Sequence, residues 1–418
     1  MRLRGAAIMD SPEQLHPLLS TLTVEYHASL SSIPGKEWTR IAESASPLLQ
    51  WDWLANLEQS GSVAASSDWQ PQHISVRDKG LLIAAAPLYR REHSSNGEFV
   101  FDFAWADAAD QLGFDYYPKL VGMSPASPVP AFEILVDSTW CARNKIEPAE
   151  LQRWVSAEIC MHAVKNGIHS VHLQYVRPYM REITAGLGFQ EWRHAGFTWF
   201  NRGYSSWDDF LLSLSKDRRR NARRERRKLR ESGIHVQILR GNELPAEWQD
   251  TMYRFYRNTN DQFGPWAARF LTREFFLHIL QAGADNLLFA VASDEAEEHA
   301  EPIAMAMFLI RGKELFGRYW GCRKTVPFLH FECCYYAPIE WAISNNIQRF
   351  DPGMGGEHKI HRGFEGITNY SLHWFQDPRM GYLFKENIHQ FNDFTEMELA
   401  AAAQMSPLLP DKETTNHE

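Results

Sequence analysis

Three runs in the second half of the chain decide the fold. They read Leu287-Leu288-Phe289-Ala290-Val291-Ala292-Ser293, then Ile303-Ala304-Met305-Ala306-Met307-Phe308-Leu309-Ile310, then Glu314-Leu315-Phe316-Gly317-Arg318-Tyr319-Trp320. Each is a short apolar or aromatic run of strand length. Arg311-Gly312-Lys313 supplies the turn between the second and third. A helix is predicted over 331–344, stopped by Asn345-Asn346, then a strand at Arg349 and Phe350. A short helix over 358–362 leads to Gly363-Phe364. Working outward, the same order stands earlier in the chain. Strands at 72–76 and 81–89 flank the turn Asp78-Lys79-Gly80, and 97–103 reads as a third strand. A helix over 151–165 ends at Asn166-Gly167, a strand covers 169–175, and a short helix over 180–187 precedes Gly188-Phe189. Repetition at this scale points to two copies of one α/β domain rather than a solenoid.

The length of 418 residues agrees, because single cores rarely grow past about 250–300 residues. The expected blocks are a loosely attached leader (1–35), a first domain (36–200), a basic helical linker (201–235), a second domain (236–385) and a helical, frayed tail (386–418). With 44% hydrophobic and 23% charged residues, a disordered or fibrous chain is excluded. Aromatics reach 13%, with 15 Trp, which suits large cores or clefts for an apolar or extended ligand. The net charge of −9 excludes a polybasic nucleic-acid binder as a whole. Five cysteines without a CxxC spacing point to a reducing compartment. The first ten residues lack a signal-type apolar core, and no run of about 18 apolar residues occurs. The expected location is cytoplasmic, with peripheral contact at the inner face of the membrane left open.

One segment opposes the acidic trend. Residues 216–230 hold ten Lys or Arg against Asp217 and Glu225, a net of +8 that leaves −17 for the remainder. Arg and Lys are good helix formers, Ser206 with Asp208 and Asp209 makes a helix start, and Gly233 a stop, so one helix is predicted over 210–231. Arg219, Arg220, Arg223 and Arg224 could then meet tRNA, meet anionic lipid, or stay solvated beside acidic neighbours. The run lacks interleaved aromatics for stacking on bases, which makes tRNA the weaker partner.

At this point a family resemblance enters. Tyr319-Trp320-Gly321-Cys322 with Phe328-Leu329-His330-Phe331-Glu332-Cys333-Cys334-Tyr335-Tyr336 resembles a FemAB-like, peptidoglycan-biosynthesis-like branch of the GNAT N-acyltransferase superfamily. So do Gly355-Gly356-Glu357-His358-Lys359 with Arg362-Gly363-Phe364, and Asp102-Phe103-Ala104-Trp105-Ala106-Asp107 with Tyr116-Tyr117-Pro118-Lys119-Leu120. Trp69-Gln70-Pro71-Gln72-His73 and Asn201-Arg202-Gly203-Tyr204 fit the same branch, and the resemblance covers about residues 35–385. It implies tandem GNAT-like domains, each a twisted mixed β-sheet flanked by helices. It also implies transfer of an acyl group from a carrier to an amine. The donor would be acyl-CoA or an acyl carrier protein thioester, with no resident cofactor. The acceptor would be a primary amine of a cell-envelope precursor: a peptidoglycan amine, or a lipid amine such as a sphingoid base giving a ceramide-like amide. The alternatives are an aminoacyl-tRNA-dependent bridge-type transferase and a non-catalytic binding protein on the same fold. The long coiled-coil arm of many tRNA users is absent from the sequence pattern.

The chemistry names the residue types. The amine must lose a proton, the tetrahedral oxyanion must meet donors, and the thiolate must leave. His330, Glu332, Glu357 and His358 form the densest titratable set, so the general base is sought among them. Backbone N–H groups of a splayed strand would serve the oxyanion, and Tyr319, beside Trp320, the leaving group. Lys359 and Arg362, after the Gly-rich loop Gly353, Gly355 and Gly356, would hold an anionic acceptor or carrier phosphate. In the first half, Asp102, Trp105, Asp107, Tyr117 and Lys119 pair charge with ring faces and would recognise a cationic amine. Glu357-His358-x-x-His361 has no metalloprotease spacing, so no metal is expected.

Overall fold

The computed structural model describes residues 16–93, 96–264, 267–281, 283–294 and 301–409. The chain forms two compact units. The first comprises Met1–His194, Trp266–Ala284 and Thr368–Thr395; the second Ala195–Pro265, Asp285–Ile367 and Glu396–Glu418.

In the first unit, a four-stranded antiparallel sheet runs in the order Thr23–His27, His73–Asp78, Leu81–Ala86, Leu135–Val136. A second layer runs Gln70–Pro71, Leu88–Arg91, Lys119–Gly122, Ser170–Val176, and closes on residues 370–375 of the strand Glu365–Phe375. Lys119–Gly122 and Ser170–Val176 are parallel, and a parallel pair needs a crossover. The helix Pro148–Lys165 provides it, with Pro148 in its first turn where a missing N–H costs nothing. Its Val155, Ile159 and Ala163 are fully buried in one core with Leu120, Val171 and Leu173.

The second unit repeats the plan. Ile234–Arg240, Leu287–Asp294, Ala304–Arg311 and Glu314–Cys322 form an antiparallel meander. Six of the eight residues of Leu287–Asp294 and seven of the eight of Ala304–Arg311 are buried, the continuous apolar pattern of strands covered on both faces. Glu314–Cys322 then pairs in parallel with Arg349–Asp351, which pairs with Trp199 and Phe200 of the strand Gln190–Phe200. The crossover runs through Leu329–Phe331, a wide turn of π-helix at Glu332–Tyr336, and Ala337–Ser344. The helix Trp248–Asp261 lies directly on this sheet. A Cβ on Gly321 would sit 2.0 Å from the Phe255 carbonyl oxygen, so only glycine permits the approach.

Several expectations are corrected. The units are not consecutive blocks, because the strand after Gly188-Phe189 ends in the second unit and the strand after Gly363-Phe364 ends in the first. Residues 1–15 lie outside the described residues; the rest of the expected leader is built in, with Thr23–His27 paired to His73–Asp78 and Leu30 and Ile33 fully buried. The expected strand over 97–103 is instead a tight turn at Asn96–Glu98 followed by the helix Phe103–Leu112. The expected single helix over 210–231 is two, Trp207–Leu212 and Lys216–Glu231. It breaks at Ser213–Ser215 because that backbone pairs with 407–409: Leu409 N donates to Ser213 O and Ser215 N to Pro407 O, both at 2.8 Å. Of the expected tail, residues 386–404 are helical as read, within a helix that starts earlier, Pro378–Gln404, and residues 410–418 lie outside the described residues. Among the described residues no helix is long and apolar enough to cross a membrane.

Candidate active site

The second unit's parallel pair holds for only three residues, from Glu314↔Arg349 to Phe316↔Asp351. Beyond Phe316 the two strands part, and a cleft of about 560 Å³ opens between them. Gly317 to Trp320, Pro352, Met354 to Gly356, His358 and Lys359 contribute to its lining, with His330, Cys334 and Tyr335 from the crossover helix. On its other edge, Glu314–Cys322 carries a bulge: Met307 pairs Tyr319 and Phe308 pairs Gly317, which leaves Arg318 over. Bulges of this kind re-aim backbone and side chains beside functional sites.

Five of the expected site residues meet here: Tyr319, Trp320, His330, His358 and Lys359. The His330 ring lies 5.1 Å from Trp320, 5.4 Å from Tyr335 and 5.8 Å from His358, centroid to centroid. Tyr335, which sequence reasoning passed over, shares a hydrogen bond of 2.9 Å between its hydroxyl and His358 Nε2. Burial keeps both imidazoles neutral: it pushes His330 down to about 4, aided by His358, Arg362 and Lys359, and lowers His358, aided by Arg362 and Lys359. Burial raises the Tyr319 phenol, which therefore keeps its proton at neutral pH. Lys359 is 2% exposed and donates to the carbonyls of Gly353 and Met354 at 2.6 and 3.1 Å, so it ties down the Gly-rich loop. Burial brings its pKa down to about 8, against the pull of Asp351. Among the described residues that line this cleft there is no Asp or Glu.

The two glutamates part company with the cleft. Glu357 is exposed at the start of the turn of helix Glu357–Arg362. Glu332 is buried and accepts from Arg226 Nε and Nη2 at 2.7–3.0 Å, while Arg226 also reaches Glu340 at 2.7 Å. Burial raises the Glu332 carboxyl, opposed by Arg226. Arg362 turns the same way: it donates to His358 O at 2.8 Å and Glu225 at 3.0 Å, and stacks 3.4 Å from the Phe331 ring centre. Glu225 also accepts from the Tyr336 hydroxyl at 2.6 Å. Thus Glu225 and Arg226, neighbours on the helix Lys216–Glu231, clamp it to the elements that line the cleft. Replacing Glu332 by Ala is expected to weaken the second unit by about 2 kcal/mol, less than for a wholly deserted buried ion because Glu340 remains. A lower denaturant midpoint checks this; an unchanged midpoint refutes the clamp.

In the first unit, Asp102 and Lys119 are at most 1% exposed and bonded to each other at 2.6 Å. Asp102 also accepts from the Tyr116 hydroxyl at 2.8 Å, and Lys119 donates to buried Glu98 at 2.8 Å. These charges are spent inside the core. Trp105 packs with Trp192, Phe384 and Phe391, Asp107 is exposed on the helix Phe103–Leu112, and Tyr117 lies half-buried beneath the Lys119 ammonium. Two larger clefts of this unit, about 730 and 700 Å³, contain none of them. In the larger one, Glu58 is already occupied by His73, Ser29 and the Leu30 N–H. Of the four arginines of the basic run, Arg219 donates to Leu214 O, while Arg220, Arg223 and Arg224 are exposed. Among the described residues no group of three or more His, Cys, Asp or Glu is placed to hold a metal.

A mixed sheet stands in each unit, and in the second a parallel pair parts over an aromatic and imidazole-lined cleft. The chain belongs to the FemAB-like family, described as peptidoglycan biosynthesis/recognition, whose model matches residues 29–409. Its fold is mixed α/β, with a mixed sheet in each of the two units. Among solved structures, FemX aligns at TM-score 0.53 with 10% identity, over 84% of this chain and 98% of that chain. The C-terminal DUF2156 domain named for a lysylphosphatidylglycerol synthetase of Agrobacterium fabrum aligns at 0.50 with 10% identity, over 86% and 97%. A tandem GNAT protein of the clavulanic acid pathway, solved without AcCoA, aligns at 0.42 with 10% identity, over 85% and 99%. Among curated proteins there is no sequence match.

Proposed function

We propose that the protein is an N-acyltransferase that moves an acyl group from a thioester, acyl-CoA or an acyl carrier protein, to a primary amine of a cell-envelope precursor. The observation that carries this reading is the cleft where Glu314–Cys322 leaves Arg349–Asp351. A carrier arm enters between the parted strands, and backbone N–H groups of the bulged strand meet the oxyanion. The amine nitrogen attacks the carbonyl carbon; His358, held by Tyr335, takes the proton the nitrogen sheds. As the carbon–sulfur bond breaks, the phenol of Tyr319, a residue that lines the cleft, returns a proton to the departing thiolate.

The lining also bears on the donor. An aminoacyl group brings an α-ammonium, and here it would meet Arg318 and Lys359 with no carboxylate among the described lining residues. A desolvated cation without a partner is costly, so a neutral acyl group is favoured. The second reading, an aminoacyl donor, has its support in the name of the Agrobacterium fabrum domain. Assays of thiol release from an acyl-CoA series with a panel of lipid and peptidoglycan amines separate the readings. Amine-dependent thiol release is the expected result. Consumption of aminoacyl-tRNA alone would install the second reading, and consumption of neither would leave a binding protein.

A further inference from the structure

We propose that the outward face of the helix Lys216–Glu231, with the apolar residues beside its first turn, docks the protein on an anionic lipid surface. This does not rest on the transferase reading. The clamp described above spends the inward side of the helix: Glu225 and Arg226 are bonded, and Ala222 and Leu229 are buried. What is left outward is a stripe. Lys216, Arg220, Arg223, Arg224, Arg227 and Lys228 are all exposed and follow the i, i+4, i+7, i+8, i+11, i+12 spacing of one helix face. At 1.5 Å per residue the stripe runs for about 18 Å. Three of its cations make pairs with exposed carboxylates, Arg220 with Asp217, Arg223 with Asp208 and Arg227 with Glu231. Such solvated pairs are weak and readily exchanged for lipid phosphates.

A second observation distinguishes lipid from RNA. The strand-like pairing of 213–215 with 407–409 sets Leu212 and Leu409 at the start of this helix, and they are 57% and 46% exposed; Met405 is 41% exposed nearby in the chain. Apolar side chains beside a cationic face are the composition of a surface that settles into headgroups. RNA would instead ask for rings between the cations, and residues 216–231 contain no aromatic residue.

The test is co-flotation of the full chain with phosphatidylcholine vesicles containing or lacking phosphatidylglycerol, beside a tRNA-binding titration. Binding only to the anionic vesicles, weakened by salt, is expected. The variant R220Q/R223Q/R224Q/R227Q should bind at least about 100-fold more weakly, whereas Arg→Lys at the same four sites should retain binding. L212S/L409S should also weaken binding, with circular dichroism unchanged in every variant. No binding to anionic vesicles, binding indifferent to the glutamine substitutions or to the serine pair, or tRNA binding in place of vesicle binding would each overturn the proposal.

Discussion

Between pH 7 and pH 5 the buried pair His172 and His373 is expected to cost the first unit about 4 kcal/mol of stability. His172 and His373 face each other across paired strands, fully buried, with their Nδ1 atoms 2.5 Å apart. Burial pushes His172 down to about 3, with Lys119 adding to the shift, and puts His373 well below its ordinary value, with His172, His194 and Lys119 adding to it. Both stay neutral in the folded state at pH 5. In the unfolded chain each takes up a proton near pH 6.5, so the unfolded state binds more protons in this window and stability falls as pH falls. Each histidine contributes about 2 kcal/mol of loss by pH 5, whatever its exact folded value below that point. Urea denaturation at the two pH values measures it, and replacing both residues by Asn should remove about 4 kcal/mol of the dependence, leaving the share of His194, which burial likewise pushes down to about 3. A flat profile in the parent chain would show that the pair is already charged when folded.

Replacing His358 by Ala is expected to lower kcat by about 10²–10³, with KM changed little. The imidazole lines the cleft and is held by a side-chain hydrogen bond to a second cleft residue, Tyr335. Its lowered pKa, set by burial and then by Arg362 and Lys359, has a definite sign: the basic form persists below pH 6.5, so the acid limb of kcat/KM, which reports the free enzyme, should lie under that value. Tyr335→Phe should be milder, because it frees the ring without removing it. If His358→Ala turns over normally, His330 is the remaining imidazole of the cleft and the base assignment moves there.

Much of the fold was legible because the decisive signals are local. The runs at 287–293, 303–310 and 314–320 are apolar over strand length and closed by Arg311-Gly312-Lys313, and each lies within one observed strand to within a residue. The error at 97–103 has a clear cause. Phe99, Phe101 and Phe103 alternate like a strand face, but Ala104, Ala106, Ala108 and Ala109 follow, and alanine's helix propensity decides the segment from Phe103 onward. The break at Ser213–Ser215 could not be read, since its cause is a partner almost two hundred residues away. At the site, density of titratable residues found His330, His358 and Lys359. It could not tell them from Glu332, because a run of arginines reads as uniform charge until the structure shows that Arg226 alone of them turns inward to that carboxylate. Asp102 and Lys119 misled for the same reason: sequence shows opposite charges near aromatics, not that they have already found each other.

The adjacency of Glu225 and Arg226 has a geometric corollary. With both side chains anchored, through Arg362 and Glu332, the rod cannot roll about its long axis. One residue inserted between Ala222 and Arg223 would leave composition and charge untouched yet swing the preceding turn by about 100° against the anchored part. The phase of the stripe, and not the tally of its arginines, is therefore the quantity that this pair of rivets protects.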